Sequence, residues 1–182
     1  MKFYRVRCKQ GKQFFDGEWS PYPSDLMDLY GDASQPVPDG LHVQVVRGTQ
    51  PGDILFATCN VVSDRFVGIL EEIGATGFRT FRVPLIKRRI TVATYNGLKI
   101  LGRGGPFDAI RSNAKIDEFG SVNGYSGIYM DESRWDGCDV FFIPGLSVSL
   151  YVTERVAHAL QDARLLNVRL VENSECHMPL RR

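Results

Sequence analysis

The hydrophobic positions of this chain follow a helical period in two places and a strand-like period in most others. Phe66, Ile69, Leu70 and Ile73 are spaced as one face of a helix, and Val156, Ala159, Leu160 and Ala163 repeat that spacing. A hydroxyl residue followed by an acid stands before each run, Ser63-Asp64 in the first and Thr153-Glu154 in the second. A hydroxyl at that point can accept a hydrogen bond from a first-turn amide, and an acid there complements the helix dipole. The pattern therefore predicts two helices capped by Ser63 and Thr153.

Short apolar runs flank both helices. Gly52-Asp53-Ile54-Leu55-Phe56 precedes the first and Phe78-Arg79-Thr80-Phe81 follows it; Cys138-Asp139-Val140-Phe141-Phe142 and Val168-Arg169-Leu170-Val171 do the same for the second. Their content of Val, Ile and Phe suits buried strands. Ser63 and Thr153 stand 90 positions apart and Gly52 and Cys138 stand 86 apart, so the later copy carries about four extra residues near Pro144-Gly145-Leu146-Ser147. The expected fold is α+β, a single compact chain over residues 1–182 built on internally duplicated strand-helix-strand units with a mixed sheet. The units span approximately 52–83 and 138–171.

Alternation from Phe3 to Cys8 predicts an opening strand with Tyr4, Val6 and Cys8 on one face. Gly17 to Pro23 reads as loop, followed by a short helix from Asp25 to Tyr30 that Ser24 caps and Gly31 ends. Leu41 to Val46 resumes a strand. Asn96-Gly97 separates the apolar runs Ile90–Tyr95 and Leu98–Leu101, and that dipeptide predicts a tight hairpin. From Phe107 to Trp135 the chain is polar and rich in Gly, Ser, Asn and Tyr, with a short strand expected at Ile128-Tyr129-Met130. Loops of this kind are where binding residues concentrate.

Charge narrows the function classes. Lys and Arg number 22 against 21 Asp and Glu, a formal balance of +1, which supplies neither the general attraction of a nucleic-acid binder nor that of an acidic mimic. The opening residues carry a charge at almost every second position and no signal-like apolar core, and no apolar run approaches bilayer length. The expectation is a cytoplasmic protein with no membrane partner. Cys8, Cys59, Cys138 and Cys176 are widely spaced without a CxxC pair, so reduced, partly buried thiols are expected.

Catalytic chemistry is hard to find in the pattern. Gly102 to Gly105 lacks the Lys-Ser/Thr of a phosphate loop, and Pro106 removes an amide donor where one is needed, so a loop leaving a hairpin explains it better. His42, His158 and His177 share no metal-ligand spacing. His158 is expected at the edge of its helix's packed face. Cys176-His177 offers a thiol beside a base, but neighbours in an extended chain point to opposite sides. No catalytic residue, metal or cofactor is therefore expected. Arg65 and Arg155, equivalent in the two copies, sit against the helix dipole and call for a compensating carboxylate, as structural bridges. In the 121–137 segment Tyr125, Tyr129 and Trp135 with Arg134 are the residue types enriched in interface anchors, and Asp131 and Glu132 can accept basic groups of a protein partner.

These residues also bring a family into view. Tyr129-Met130-Asp131-Glu132, Gly137 to Phe142, Tyr151 to Val156 and Leu165 to Leu170 resemble the C-terminal half of the Immunity protein 11-like family. Val61 to Arg65 and Gly74 to Phe78 are similar to its N-terminal half, with Asp108 and Ser112 as the polar motif between them. The resemblance covers roughly residues 52 to 171, and the Pro-rich stretch from Trp19 to Gly40 departs from the family's pattern. It implies a cytoplasmic, non-enzymatic bacterial antidote whose partner is a cognate toxin domain, with no nucleic-acid partner and no catalytic residues to carry over. The competing expectations are a small hydrolase or transferase using Cys59, Cys176 or His177, and a binding module using Lys87-Arg88-Arg89, at the start of a strand, as a phosphate patch.

Overall fold

Strands supply most of the regular structure among the described residues.

 The computed structural model describes residues 1–9, 11–21, 36–37, 39–55, 61–146 and 149–179. The chain opens with β1 (Phe3–Cys8), β2 (Asp16–Ser20), β3 (His42–Arg47) and β4 (Val61–Val62), and then forms the first helix, α1 (Asp64–Glu72). A long antiparallel pair follows, β5 (Phe78–Lys87) and β6 (Ile90–Ile100), then β7 (Gly102–Arg103), β8 (Lys115–Ile116) and β9 (Val122–Ser126). The last part is β10 (Val140–Phe142), β11 (Tyr151–Thr153), α2 (Glu154–Asp162), β12 (Val168–Glu172) and β13 (His177–Met178). The architecture is mixed α+β, strand-rich, with two helices. The helix expected at Asp25–Tyr30, with Ser24 and Gly31 at its ends, lies outside the described residues, as do Phe56, Cys59 and Ser147.

Three sheets result. One runs β12-β1-β11-β10-β7, another β2-β3-β5-β6-β4, and a small one β13-β9-β8. Both larger sheets are mixed, because β10 pairs with β7 and β3 with β5 in parallel while their other pairs are antiparallel. The main core gathers residues from both larger sheets and both helices, among them Val6, Trp19, Leu55, Phe66, Leu70, Val83, Leu98, Val152, Val156 and Leu160. Tyr4, Val6 and Cys8 of β1 all pack there, as the alternation predicts. Phe3 turns to the opposite face and joins a second core with Ile128, Met130, Phe141, Ile143, Tyr151, Val171 and Cys176. The β1 sheet is thus buried on both faces, and the 107–135 segment contributes to its outer cover.

Both helices form where the caps predict. Ser63 Oγ accepts from the Phe66 amide at 3.1 Å, whereas Thr153 holds the N-cap position of α2 without a side-chain cap bond. Its hydroxyl donates to Asp139 instead, at 2.9 Å. The inward stripes are also rotated relative to the expected ones. Phe66, Val67 and Leu70 are the buried residues of α1 and Val156, Ala157 and Leu160 those of α2, with Ile69, Ile73, Ala159 and Ala163 only partly covered. The register around the two helices also corresponds. Ile54 bridges Val62, and Val140 pairs with Val152, in each case antiparallel; β6 pairs antiparallel with β4 and β5, just as β1 does with β11 and β12.

The expected hairpin at Asn96-Gly97 does not exist. β6 runs through it unbroken, and the turn joining β5 to β6 is Arg88-Arg89, both in left-handed backbone with φ of 50° and 66°. Asn96 is buried because its side chain accepts from Arg82 at 2.9 Å and donates to Asp64 at 2.6 Å. Gly97 is required by packing: a Cβ there would lie 2.1 Å from the Phe81 ring, so the ring covers the strand where a side chain is missing. Lys87-Arg88-Arg89 therefore ends a strand and makes a turn, and does not start a strand. Gly17 to Ser20, read as loop, belongs to β2, with Trp19 buried and 6.5 Å from Phe81 ring to ring. The expected strand at Ile128–Met130 is likewise displaced to Val122–Ser126, while Ile128 and Met130 are buried in the second core.

Two sets of substitutions check this packing. Leu70→Ala and Leu160→Ala should each lower stability by roughly 2–5 kcal/mol, read from urea midpoints, because both side chains are enclosed. Gly97→Ala should destabilise through the Phe81 clash, whereas Gly68→Ala, on the open side of α1 with nothing near its Cβ, should gain about 0.5–1 kcal/mol. Equal effects of the two glycine substitutions would contradict the packing of Phe81.

Candidate functional site

Two carboxylates organise the region where the helices begin and end. Asp53, buried, accepts from the Ser63 hydroxyl at 2.6 Å and from the Leu166 amide at 2.6 Å. Asp139 accepts from the Thr153 hydroxyl at 2.9 Å and from the Thr76 amide at 3.1 Å, and it pairs with Arg155 at 2.6 Å. Thr76 follows α1 and Leu166 follows α2, so each carboxylate ties the start of one helix to the exit of the other. Burial alone would raise the Asp139 carboxyl, but the Arg155 guanidinium, the Thr153 hydroxyl and the Thr76 amide together bring it below the ordinary carboxylate value.

The arginines complete the exchange. Arg65 of α1 donates to the carbonyl of Ala163, the C-cap of α2, and Arg155 of α2 donates to the carbonyl of Ile73, the C-cap of α1, at 2.5 Å. A guanidinium that opposes its own helix dipole thereby meets the negative end of its neighbour's. The expected carboxylate is present for Arg155 and absent for Arg65 among the described residues, where the neighbouring carbonyl serves instead. Both arginines are bridges within the fold.

Side-chain volume is shared out at the same places. Asn167 Oδ1 accepts from the Asp53 amide at 2.9 Å, and its Nδ2 donates to the Ile54 carbonyl at 2.7 Å. A Cβ on Gly52 would lie 2.3 Å from that Oδ1. The corresponding pair reverses the sizes: Gly77 faces Cys138, and a Cβ on Gly77 would lie 2.7 Å from the Cys138 Cβ. Gly77 and Asn167 both occupy left-handed backbone, at φ of 91° and 52°.

The residues singled out for partner binding divide into two kinds. Tyr125 accepts from Arg5 at 2.8 Å and packs edge-on to Phe107, while the Tyr129 ring lies 4.8 Å from the Arg111 guanidinium carbon. Trp135 meets Phe3 edge-on at 5.2 Å, lies 6.0 Å from Phe141 and donates from its indole nitrogen to the Cys138 carbonyl at 3.1 Å. All three are half-buried, and Tyr125 and Trp135 attach the covering segment to the second core. Asp131, Glu132 and Arg134 are exposed together on one short 3-10 turn, Glu132–Arg134, that Asp131 caps through the Ser133 amide at 3.1 Å. Glu132 lies 3.9 Å from the N-terminal amine. Ser112 is fully buried and bonds the Tyr129 amide at 3.0 Å, and Asp108 accepts from the Arg111 amide at 3.0 Å, so that polar pair shapes the loop.

Exposed apolar residues escaped the sequence reading. Ile110 is 93% exposed and Phe119 84%, both within the covering segment, with Ile116 between them at 55%. Each is an isolated apolar residue in a polar stretch, a pattern that periodicity cannot assign to either face. Their exposure sets them apart from the half-buried Tyr125 and Trp135.

Cys176 sits in a setting that disfavours a reactive thiolate. Cys176 is buried, and that burial raises its thiol above the ordinary value. His177 is exposed, with its Nδ1 3.2 Å from the Ser126 hydroxyl, so the two neighbours occupy different surroundings. His158 is exposed on the side of α2 away from Val156, Ala157 and Leu160, not at the edge of the packed face as expected. Among the described residues no group of three or more His, Cys, Asp or Glu is placed to hold a metal. No described helix is long and apolar enough to cross a membrane. In comparisons with known proteins, no family model and no curated protein sequence matches the chain.

The Asp139 linkage predicts a pH dependence. Asp139→Asn removes the charge that Arg155 faces and should cost roughly 1–3 kcal/mol at neutral pH. The folded carboxyl lies below its unfolded value, so its contribution is complete above the unfolded value of about 3.9 and is lost as pH falls through the folded one. The gap in urea midpoint between the wild type and Asp139→Asn should therefore be widest near neutral pH and narrow below about pH 4. A gap that stays constant down to pH 3, or about that acidity, would show that the carboxylate carries no such linkage.

Proposed function

We propose that this protein is an immunity protein that binds and neutralises a cognate bacterial toxin domain by contact, without catalysis. The observation that carries the reading is the resemblance of residues 52 to 171 to the Immunity protein 11-like family, in phrases that here form a framework. Val61 to Arg65 and Tyr151 to Val156 are the two helix entries, with Ser63 and Thr153 each bonded to a carboxylate and Arg65 and Arg155 each reaching the other helix. We read these as two copies of one unit. The matching antiparallel register around Val62 and Val152, and the crossed arginines, support that reading.

A protein that acts by contact needs a rigid surface with a few good anchors. The 107–135 segment offers such a surface: Phe107, Tyr125 and Trp135 fasten it to the second core, and it exposes Asp131, Glu132 and Arg134 as well as apolar Ile110 and Phe119. Arg134 has no side-chain partner among the described residues, so its fork of donors is free for a carboxylate or carbonyl of the toxin. With a net charge of +1, affinity rests on such contacts more than on long-range attraction. The compartment that goes with this reading is the cytoplasm of the producing cell.

The test is to read the neighbouring gene and, where it encodes a large secreted protein with a variable C-terminal domain, to titrate that domain calorimetrically; an unrelated metabolic operon there would count against the proposal. Arg134→Ala should weaken binding by about 2 kcal/mol or more with thermal unfolding unchanged. Trp135→Ala should instead lower stability, by roughly 3–5 kcal/mol, because its ring sits against Phe3 and Phe141. Failure of that domain to bind would defeat the proposal; binding at full strength by Arg134→Ala and by Asp131→Asn combined with Glu132→Gln would move the contact to another face.

A further inference from the structure

We infer that a cleft at the end of β1 binds a small organic anion with a flat apolar body. This stands apart from the toxin contact, and neither depends on the other. The cleft has a volume of about 430 Å³, within the range of small-molecule sites, and is lined by Cys8, Lys9, Gly11, Lys12, Phe14, Phe15, Asp16 and Arg47.

Charge selects the ligand class. Over the whole chain the charges nearly cancel, but three cationic side chains face this cleft against one carboxylate. That carboxylate, Asp16, is already engaged by Arg47 Nε at 2.5 Å. The Lys9 and Lys12 ammonium groups have no hydrogen-bond or ion-pair partner among the described residues. An anion entering here gains two unpaired cations and the remaining donors of the Arg47 fork.

The wall selects the shape. Phe14 is half-buried and Phe15 buried, and with Cys8 and the bare backbone of Gly11 they make an apolar face that suits a ring. A fourth cation, Lys87, lies 5.6 Å from the Phe15 ring centre and donates to the Gly48 carbonyl at 2.7 Å.

The cleft is also held in shape before any ligand arrives. Thr49 and Gln50 amides both donate to the Gln13 carbonyl, at 2.9 and 3.0 Å, and the Phe15 amide donates to Gln50 at 2.9 Å. Gly48, at φ 91°, permits the approach, since a Cβ there would lie 2.1 Å from the Phe14 carbonyl oxygen. A wall strapped by three backbone bonds does not have to be ordered on binding, which lowers the cost of association.

The probe is anilinonaphthalene sulfonate, an aromatic sulfonate, titrated into the isotopically labelled full chain and followed by amide chemical shifts. The expected result is saturable binding with the largest shifts at Lys9, Gly11, Phe14, Phe15 and Arg47. The double variant Lys9→Ala with Lys12→Ala, both exposed and dispensable for packing, should weaken binding roughly tenfold or more, and Lys9→Arg with Lys12→Arg should restore it. Inorganic phosphate and naphthol, which separate the charge from the ring, should each bind more weakly than the probe that joins them. Shifts confined to other residues, or an affinity unchanged in the double alanine variant, would overturn the site. So would phosphate binding as tightly as the probe, since the apolar wall would then have no role.

Discussion

Two buried or half-buried carboxylates, Asp53 and Asp139, are the constraint from which the remaining architecture follows. A carboxylate away from water is costly unless donors surround it, and both find donors on the helix they precede and on the chain that leaves the other helix. Satisfying the charges therefore fixes the two helices relative to each other. Once they are fixed, Arg65 and Arg155 lie within reach of opposite C-caps, and the arrangement allows only an antiparallel pair. Apolar burial then follows the geometry: Val67 and Ala157, at equivalent positions, turn further inward than a free-standing helical stripe would put them.

The two helix entries satisfy their carboxylates with different residues. At the first carboxylate, Asn167 supplies an amide that pairs with the Asp53-Ile54 backbone, and Gly52 gives it room. At the second, glycine stands where Asn167 would be, and Arg155 supplies a charge-assisted bond to a carboxylate that is less enclosed. Ser63 caps its helix as well as bonding Asp53, whereas Thr153 bonds Asp139 alone.

This explains what could be read in the chain and what could not. Helix starts were legible because Ser63-Asp64 and Thr153-Glu154 stand at the N-cap and first helical positions, where the acids complement the dipole and Ser63 caps the first turn, although Thr153 gives its hydroxyl to Asp139. Phe3 to Cys8 was legible because alternation survives wherever the two faces differ. Asn96-Gly97 misled because the dipeptide is a turn signal only when nothing distant needs it; here Arg82, Asp64 and the Phe81 ring all need it in a strand. The real turn, Arg88-Arg89, carries no turn residue at all. Trp19 and Met130 were missed for a related reason, since each is buried by partners far along the chain, and a local window holds no trace of them.

In the 121–137 segment the sequence named the aromatic residues but not what they touch. Aromatic content drew attention to 121–137, yet the second core consumes those rings: Trp135 closes over Phe3 and Phe141, and Tyr125 takes the Arg5 guanidinium. The β1 sheet would otherwise present a face bearing Phe3, Phe141, Tyr151 and Val171 to water. Covering it demands aromatic side chains that point inward, and a segment anchored in that way must expose the residues between its anchors. Asp131, Glu132, Arg134, Ile110 and Phe119 are those residues. The exposed side of this segment is thus the reverse side of a cover that the fold already requires.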